Sequence, residues 1–308
     1  MKFKYLLFLS LFSVCLFAQK KNEIFYAAND YYFPYFLNKP ETRVELPKIL
    51  KEISGLSYYE NNILVGIQDE KGIVFFIDVE EGEIINELNF NENGDYEGIE
   101  VLDKDIWILK SNGKLIQLKN YLNNNKNETH KHKTALKSEN NCEGLGYDPK
   151  KKCLLIACKA YPYFIKKKDG KSKKAIYSYD LKTNVLSHQP LFLIDLDSIK
   201  NHLGHNSLAK AGLKLLAAFD SSAGDLTFQP SGIATHPLTG NYYILGSVGK
   251  LLIVTNPKGI IMAIVKLKKN YFPQAEGICF DPQGKLYISN EGKEKKASIL
   301  SFKYLENK

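Results

Sequence analysis

Arginine is almost missing from this sequence: Lys and Arg together number 42, yet Arg43 is the single arginine. Surfaces that bind nucleic acid usually interleave both cations with aromatic platforms. The lysines here instead gather in separate loops, where they account for the formal net charge of +8. We therefore expect solvated lysine loops and no nucleic-acid partner.

Cysteine is also scarce, with five residues in 308. Cys15 lies in an N-terminal apolar run, which leaves Cys142, Cys153, Cys158 and Cys279 for a folded domain. Neither their spacing nor the nearby histidines form a zinc motif. Cys153 and Cys158 lie an odd number of positions apart on one predicted strand, so they face opposite sides and should not pair. We expect four buried free thiols.

Familiar catalytic signatures are missing as well. The sequence has no Gly-x-Ser-x-Gly nucleophile elbow, no His-Glu-x-x-His motif and no glycine loop of the kind that cradles phosphate. No long stretch shows the apolar period of a helix. These absences argue against a standard catalytic mechanism.

The one long apolar run is at the N-terminus. Lys2 and Lys4 precede an apolar segment at 5–17, and small residues follow it. This is the layout of a secretory signal peptide, expected over residues 1–19, and its apolar run is shorter than the roughly 20 residues that span a bilayer. Cys15 raises the alternative of a lipoprotein, but a bulky residue precedes it. We expect an exported protein, periplasmic or associated with the cell envelope.

A short motif recurs through the rest of the chain: a polar turn, an acidic or hydroxyl residue, a glycine and a short apolar strand. The five copies are at 53–58, 96–101, 142–149, 230–237 and 274–282. Two more runs rich in β-branched and aromatic residues follow each copy. The copies are about 45 residues apart, with one double interval, which is the spacing of β-propeller blades.

The predicted fold is therefore all-β, a five-bladed β-propeller over residues 42–308 preceded by a lead-in at 20–41. Six blades are the alternative, because the double interval leaves room for a blade without the motif. We favour insertions in the third blade, at 159–174 and 198–228. Residues 42–46 would supply the outer strand of the last blade and so protect a sheet edge.

Two segments between strands have local predictions. Residues 120–133 are expected to form a polar loop in which His130 and His132 are solvated. A helix is expected around 206–216, within the second insertion.

Equivalent positions on the inner strands of a propeller converge on its channel, so the residue before each repeated glycine is a candidate for a shared site. These residues are Ser54, Glu97, Glu143, Ser231 and Glu276. Crowded carboxylates must raise their pKa values or be neutralised, and Ca²⁺ takes about six to eight oxygens. We predict a calcium site formed by all five. The alternative is that these side chains bond to the backbone of a neighbouring blade and only join the ring.

A second ring is expected where the second strand of each blade ends. Its residues are Asp69, Lys110, Lys159, Ser247 and Glu291. We predict that the four charged residues among them bind a ligand at the channel mouth. Lys110 and Lys159 also offer an alternative to calcium, because either ammonium could pair with the ring glutamates.

Three motifs resemble those of a known family: Asn-Cys-Glu-Gly-Leu at 141–145, Ala-Cys-Lys at 157–159 and Pro-Gln-Ala-Glu-Gly at 273–277. They are similar to the SdiA-regulated (YjiK-like) family of bacterial β-propellers, which is distantly related to NHL-repeat proteins. The resemblance runs from about Val44 to Phe302. It implies a five-bladed ring with a bound calcium ion and no defined activity. The enlarged third blade departs from it.

The function predicted from these observations is that of an exported, calcium-binding propeller that binds a small ligand or an extracytoplasmic protein without catalysis. The alternative is a metal-dependent hydrolase of the esterase, lactonase or phytase type, acting at the channel mouth. A third hypothesis is an interaction scaffold without metal. A monomer is expected in each case.

Overall fold

The fold is a closed ring of five antiparallel sheets. The structure is a computed structural model, and it describes residues 24–121, 128–163, 170, 172–204 and 227–306. Neighbouring inner strands contact each other around the whole ring, including the first blade and the fifth. The prediction of a five-bladed β-propeller is confirmed. The predicted signal peptide lies outside the described residues.

Each blade begins with an inner strand that carries one copy of the motif. The first blade contains β3 (Ile53–Glu60), β4 (Ile63–Gln68), β5 (Ile73–Asp78) and β6 (Ile84–Asn89). The second contains β7 (Tyr96–Leu102), β8 (Asp105–Lys110), β9 (Leu115–Lys119) and β10 (Glu128–His132). The third contains β11 (Cys142–Asp148), β12 (Cys153–Cys158), β13 (Lys173–Asp180), β14 (Val185–Leu186) and β15 (Phe192–Asp195).

The last two blades each take a strand from the N-terminal part of the chain. The fourth contains β16 (Gln229–Thr235), β17 (Tyr242–Val248), β18 (Leu251–Thr255), β19 (Ile261–Lys266) and, at its outer edge, β1 (Ile24–Ala27). The fifth contains β20 (Ala275–Phe280), β21 (Leu286–Asn290), β22 (Ser298–Phe302) and β2 (Thr42–Glu45). The prediction that the N-terminus supplies the outer strand of the last blade is confirmed.

Apolar side chains fill the gap between each pair of neighbouring blades. Val65 of β4 packs with Ile106 and Ile108 of β8 between the first and second blades. Leu64, the preceding residue, packs instead between the fifth and first blades. Because both faces of a blade are covered, the second strands are almost continuously apolar, and β12 is buried throughout.

The repeated glycine allows the inner strands to approach closely at the axis. A Cβ on Gly55 would lie 2.8 Å from the Ile99 nitrogen, and one on Gly98 would lie 2.6 Å from the Leu145 Cβ. A side chain at either position would push the neighbouring blade away, which explains why the motif keeps glycine there.

The N-terminal segment joins the fourth and fifth blades. Thr42 pairs with Ser301 in the register of β2 and β22, and their hydroxyl oxygens are 2.6 Å apart. Between β1 and β2, the side chains of Phe33, Tyr35 and Leu37 are buried in the cluster between the fourth and fifth blades. The lead-in predicted at 20–41 therefore contributes both a strand and core residues.

The third blade carries the additional segments. Helix α1 (Leu196–Gly204) follows β15 directly. The helix predicted around 206–216 lies outside the described residues. No helix within the described ranges combines the length and apolar character needed to cross a membrane.

The polar loop predicted at 120–133 was wrong in its second half. Glu128–His132 form β10, the outer strand of the second blade, and pair with β9 along their whole length. The His132 ring lies 5.0 Å from that of Trp107. An outer strand needs little apolar surface, so its composition resembles that of a loop.

Candidate functional site at the propeller axis

A β-bulge interrupts the inner strand of every blade at the motif. In the pairing of inner and second strands the register shifts between Ile53 and Gly55, between Tyr96 and Gly98, and at the three equivalent positions. A bulge leaves a residue out of the ladder and re-aims its side chain. The bulged residues are Ser54, Glu97, Glu143, Ser231 and Glu276.

The five motifs meet at a small cavity on the axis. The cavity has a volume of about 10 Å³, roughly the room for one water-sized sphere, and it is lined by the bulged residue, the glycine and the following apolar residue of each blade. Glu143 and Glu276 are each 7% exposed. The structure thus brings all five predicted ring residues to one place.

The two serines of the ring bond to neighbouring blades. The Ser54 hydroxyl donates a hydrogen bond of 2.7 Å to the Tyr96 carbonyl of the second blade. The Ser231 hydroxyl donates one of 2.8 Å to the Ala275 carbonyl of the fifth blade. These two residues therefore join blades, as the alternative interpretation of the ring expected, although each oxygen keeps lone pairs that can face a cation.

Glu143 is paired with a cation from its own blade. The Lys159 Nζ lies 3.0 Å from Glu143 Oε1, which also accepts a hydrogen bond of 2.9 Å from the Asn141 amide. Burial raises the pKa of Glu143, against the opposing effect of Lys159. Burial acts to lower the pKa of Lys159, but the charge and hydrogen bond of Glu143, together with the charges of Glu276 and Glu97, raise it.

Glu97 and Glu276 form no ion pair with any lysine of the described ranges, and both favour protonation. Burial, with the nearby charge of Glu143, raises the pKa of Glu97 to about 9. Burial and the charge of Glu291 raise the pKa of Glu276 to about 8, although Lys159 and a hydrogen bond with Ser247 act in the opposite direction. Both side chains would ionise readily only with a compensating positive charge.

The residues of the second ring lie in different environments. Burial raises the pKa of Asp69 to about 6, with the charges of Glu52 and Glu70 adding to the effect. Burial and Asp69 raise the pKa of Glu291 to about 7, and the Gln274 amide donates to Glu291. Lys110 lies over the Tyr96 ring, with its Nζ 4.9 Å from the centroid. The acidic members are thus close enough to influence each other.

A larger cavity adjoins the channel beside Lys159. Its volume is about 380 Å³, and Asn141, Lys159, Tyr161, Lys174 and Gln229 line it. The Lys174 Nζ donates a hydrogen bond of 2.7 Å to the Lys159 carbonyl. Burial and the charge of Lys159 lower the pKa of Lys174. Two ammonium groups therefore border one concave surface.

Two lysines near the axis, Lys174 and Lys250, were not among the predicted site residues. Lys174 lies at the start of β13, in a lysine-rich stretch that was interpreted as a solvated insertion. The Lys250 Nζ donates to the Pro273 carbonyl at 2.7 Å, and burial lowers its pKa to about 8. Nothing in the lysine-rich composition distinguishes these two from exposed lysines. The bulges, by contrast, are marked in the sequence, because a serine or glutamate directly precedes the glycine in every copy of the motif.

The ring does not hold a preformed metal cluster. Within the described residues, no three His, Cys, Asp or Glu side chains are grouped closely enough to hold an ion. The donor set nevertheless suits a hard cation, because carboxylate and hydroxyl oxygens are its ligands.

Comparison with known proteins identifies one family. The family model described as SdiA-regulated matches residues 36–215, more than half of the chain. No curated protein sequence matches the chain.

Several solved structures are similar to this chain at low identity. A Bacteroides thetaiotaomicron protein of unknown function is 8% identical with a TM-score of 0.49, over 82% of this chain and 70% of that one. A Xanthomonas campestris gluconolactonase is 10% identical with a TM-score of 0.45, over 82% and 72%. A PQQ-bound aldose sugar dehydrogenase from Streptomyces coelicolor is 11% identical with a TM-score of 0.47, over 86% and 97%. At these values the likeness carries no argument about the activity of this chain.

Proposed function

The chain belongs to the SdiA-regulated family, and from this premise and the geometry of its axis we propose an exported, calcium-binding propeller that binds a small anionic ligand without catalysis. The observation that carries the proposal is the convergence of five bulged, oxygen-bearing residues on one axial cavity.

The proposal of export depends on the signal-like segment at 1–19 and is tested by N-terminal sequencing of secreted protein.

The charge balance at the axis supports a cation. Three glutamates meet there, and Lys159 neutralises part of the charge of Glu143. Glu97 and Glu276 must otherwise hold protons, as their raised pKa values indicate. Glu97, Glu143 and Glu276 would hold calcium, with the Ser54 and Ser231 hydroxyls beside it. Bound calcium would supply positive charge that keeps the carboxylates ionised and the blades together.

The cavity beside Lys159 supports an anionic ligand. Its volume of about 380 Å³ lies in the range of small-molecule sites. The Lys159 and Lys174 ammonium groups would attract a carboxylate or phosphate group, and the Asn141 and Gln229 amides would supply neutral hydrogen bonds. A partner protein that presents an acidic side chain would satisfy the same groups.

Calorimetric titration with calcium chloride tests the cation site. We expect one ion per chain, at least tenfold weaker binding in Glu97→Gln and Glu276→Gln, and a thermal midpoint that rises with calcium. Glu87→Gln is the matched control, because Glu87 is exposed on the outer strand β6. If millimolar calcium neither produces heat nor shifts the midpoint, the cation part of the proposal is wrong.

A panel of esters, lactones and phosphomonoesters, each with and without chelator, separates binding from the hydrolase alternative. We expect no turnover, since the described residues at the axis include no nucleophile paired with a base. Chelator-sensitive turnover of any of these substrates would replace the binding function with hydrolysis at the same site.

A further inference from the structure

Two cysteines lie immediately before Glu143 and Lys159: Cys142 at the start of β11 and Cys158 at the end of β12. Cys142 and Cys158 are directly opposite each other in the register of β11 and β12. Their sulfur atoms are 3.6 Å apart, and both side chains are fully buried. Cys153 lies at the other end of β12. The four cysteines in the described ranges are free thiols.

The backbone of this strand pair already has the spacing that a disulfide needs. Directly opposite residues of antiparallel strands have Cα atoms about 4.5–5.5 Å apart. Disulfides span Cα separations of about 4.4–6.8 Å. Rotation of the two side chains is therefore enough to bring the sulfur atoms from contact to bonding distance, with no shift of β11 against β12.

We propose that Cys142 and Cys158 are a modification site: in an oxidising compartment they form a cross-strand disulfide that ties β11 to β12 one residue from the Glu143–Lys159 ion pair. The bond holds together the two strands that present this ion pair to the channel and to the neighbouring cavity. The inference is independent of calcium, because neither sulfur is among the proposed ligands.

A low-molecular-weight disulfide such as oxidised glutathione is the oxidant. The thiolate of one cysteine attacks it, forms a mixed disulfide and releases one glutathione thiol. The second cysteine thiolate attacks the mixed disulfide, forms the Cys142–Cys158 bond and releases the second thiol. Two electrons pass to the oxidant, and the two cysteine protons end on the released thiols.

Burial determines when this reaction takes place. In the folded blade both sulfurs are out of reach of solvent, and the Cys142 nitrogen is held by a hydrogen bond of 2.8 Å to the Ser111 carbonyl of the second blade. Exchange with a dissolved disulfide needs access to the sulfur. The bond therefore forms while the blade folds, and a folded, reduced protein is the wrong starting material for a test.

The test refolds the full chain from denaturant in a glutathione redox buffer. Free thiols are blocked with N-ethylmaleimide under denaturing conditions, the remaining thiols are reduced and labelled with iodoacetamide, and peptides are mapped by mass spectrometry. We expect Cys142 and Cys158 to carry the second label, Cys153 and Cys279 the first, and an unreduced digest to contain the linked peptides. Refolded protein in which Cys142 and Cys158 are blocked as fully as Cys153 overturns the proposal, and so does a bond between other cysteines.

Thermal unfolding gives an independent readout. The bond closes a loop of about 15 residues, so protein refolded in reductant should unfold about 5 °C below protein refolded in the redox buffer. Cys153→Ala should retain this difference, whereas Cys158→Ala should lose it and leave Cys142 open to N-ethylmaleimide in denaturant. Equal midpoints for the linked protein and the protein refolded in reductant overturn the stabilising role of the bond.

Discussion

Equivalent ring positions perform different tasks according to the length of the side chain. The short side chains of Ser54 and Ser231 donate to a carbonyl of the next blade, whereas the longer glutamates contribute to the charge balance at the axis. The inter-blade bonds of the alternative interpretation are thus made by the two serines, while the cation site stays a proposal.

Replacement of Ser231 measures the inter-blade bond. Ser231→Ala leaves the buried Ala275 carbonyl without its 2.8 Å donor, so the free energy of unfolding should fall by about 1–2 kcal/mol. Chemical denaturation checks this value, with Ser138→Ala as the control because Ser138 is exposed. Equal stability of the two variants would show that the bond adds nothing to ring closure.

Lys159 is expected to compete with calcium for Glu143. Removing its ammonium in Lys159→Gln frees Glu143 Oε1 from its 3.0 Å ion pair, so calcium affinity should increase by about tenfold. The same change should weaken binding of an anion such as phosphate in the neighbouring cavity. Lys110→Gln is the control, since Lys110 lies over Tyr96. Weaker calcium binding in Lys159→Gln would contradict the competition.

At the scale of elements, the sequence predicted the three repeated strands of each blade and β2, and it failed at β10 and β1. Inner, second and third strands were predictable because each returns with the same apolar run and turn residues. β10 was missed because an outer strand lacks that apolar signal. β1 was missed because its four residues form a strand only through their pairing with β19. The sequence offered Lys110 and Lys159 as alternative partners of the ring glutamates. The structure pairs Lys159 with Glu143, a choice that depends on rotamers that spacing cannot specify.

The two N-terminal strands are expected to differ in importance. A chain starting at Ala28 loses β1, which extends the already four-stranded sheet of the fourth blade, and its thermal midpoint should fall by a few degrees. A chain starting at Pro47 also loses Phe33, Tyr35 and β2, which exposes β22 as an open edge. That chain should aggregate or lose its cooperative transition. Similar midpoints for both truncations, measured by calorimetry, would contradict this ranking.

At the scale of the whole molecule, the buried carboxyl groups make stability depend on pH. The pKa values of Glu97 and Glu276 are raised to about 9 and about 8, well above the value of about 4.3 for an unfolded chain. A group that binds its proton more tightly when folded contributes stability that is complete below the unfolded pKa and lost as pH rises through the folded pKa. Burial also raises the pKa of Glu100 to about 8, which adds to the same trend.

In calcium-free buffer the thermal midpoint should therefore fall steadily between about pH 5 and pH 9. Glu97→Gln should reduce this slope, because an amide does not titrate, and calcium should restore the wild-type midpoint most strongly at pH 9. Calorimetry over this pH range checks the expectation. A midpoint that is flat or rises with pH in the absence of calcium would show that the axial carboxyls are already neutralised by other groups.

The pairing of β2 with β22 has a consequence for biosynthesis. Residues near the start of the chain acquire their hydrogen-bonding partners only when the ribosome has made residues 298–302. A nascent chain thus remains incomplete as a ring until its last strand emerges, and such long-range closure is slow. The nascent chain therefore exposes the unpaired edge of β2 for most of its synthesis.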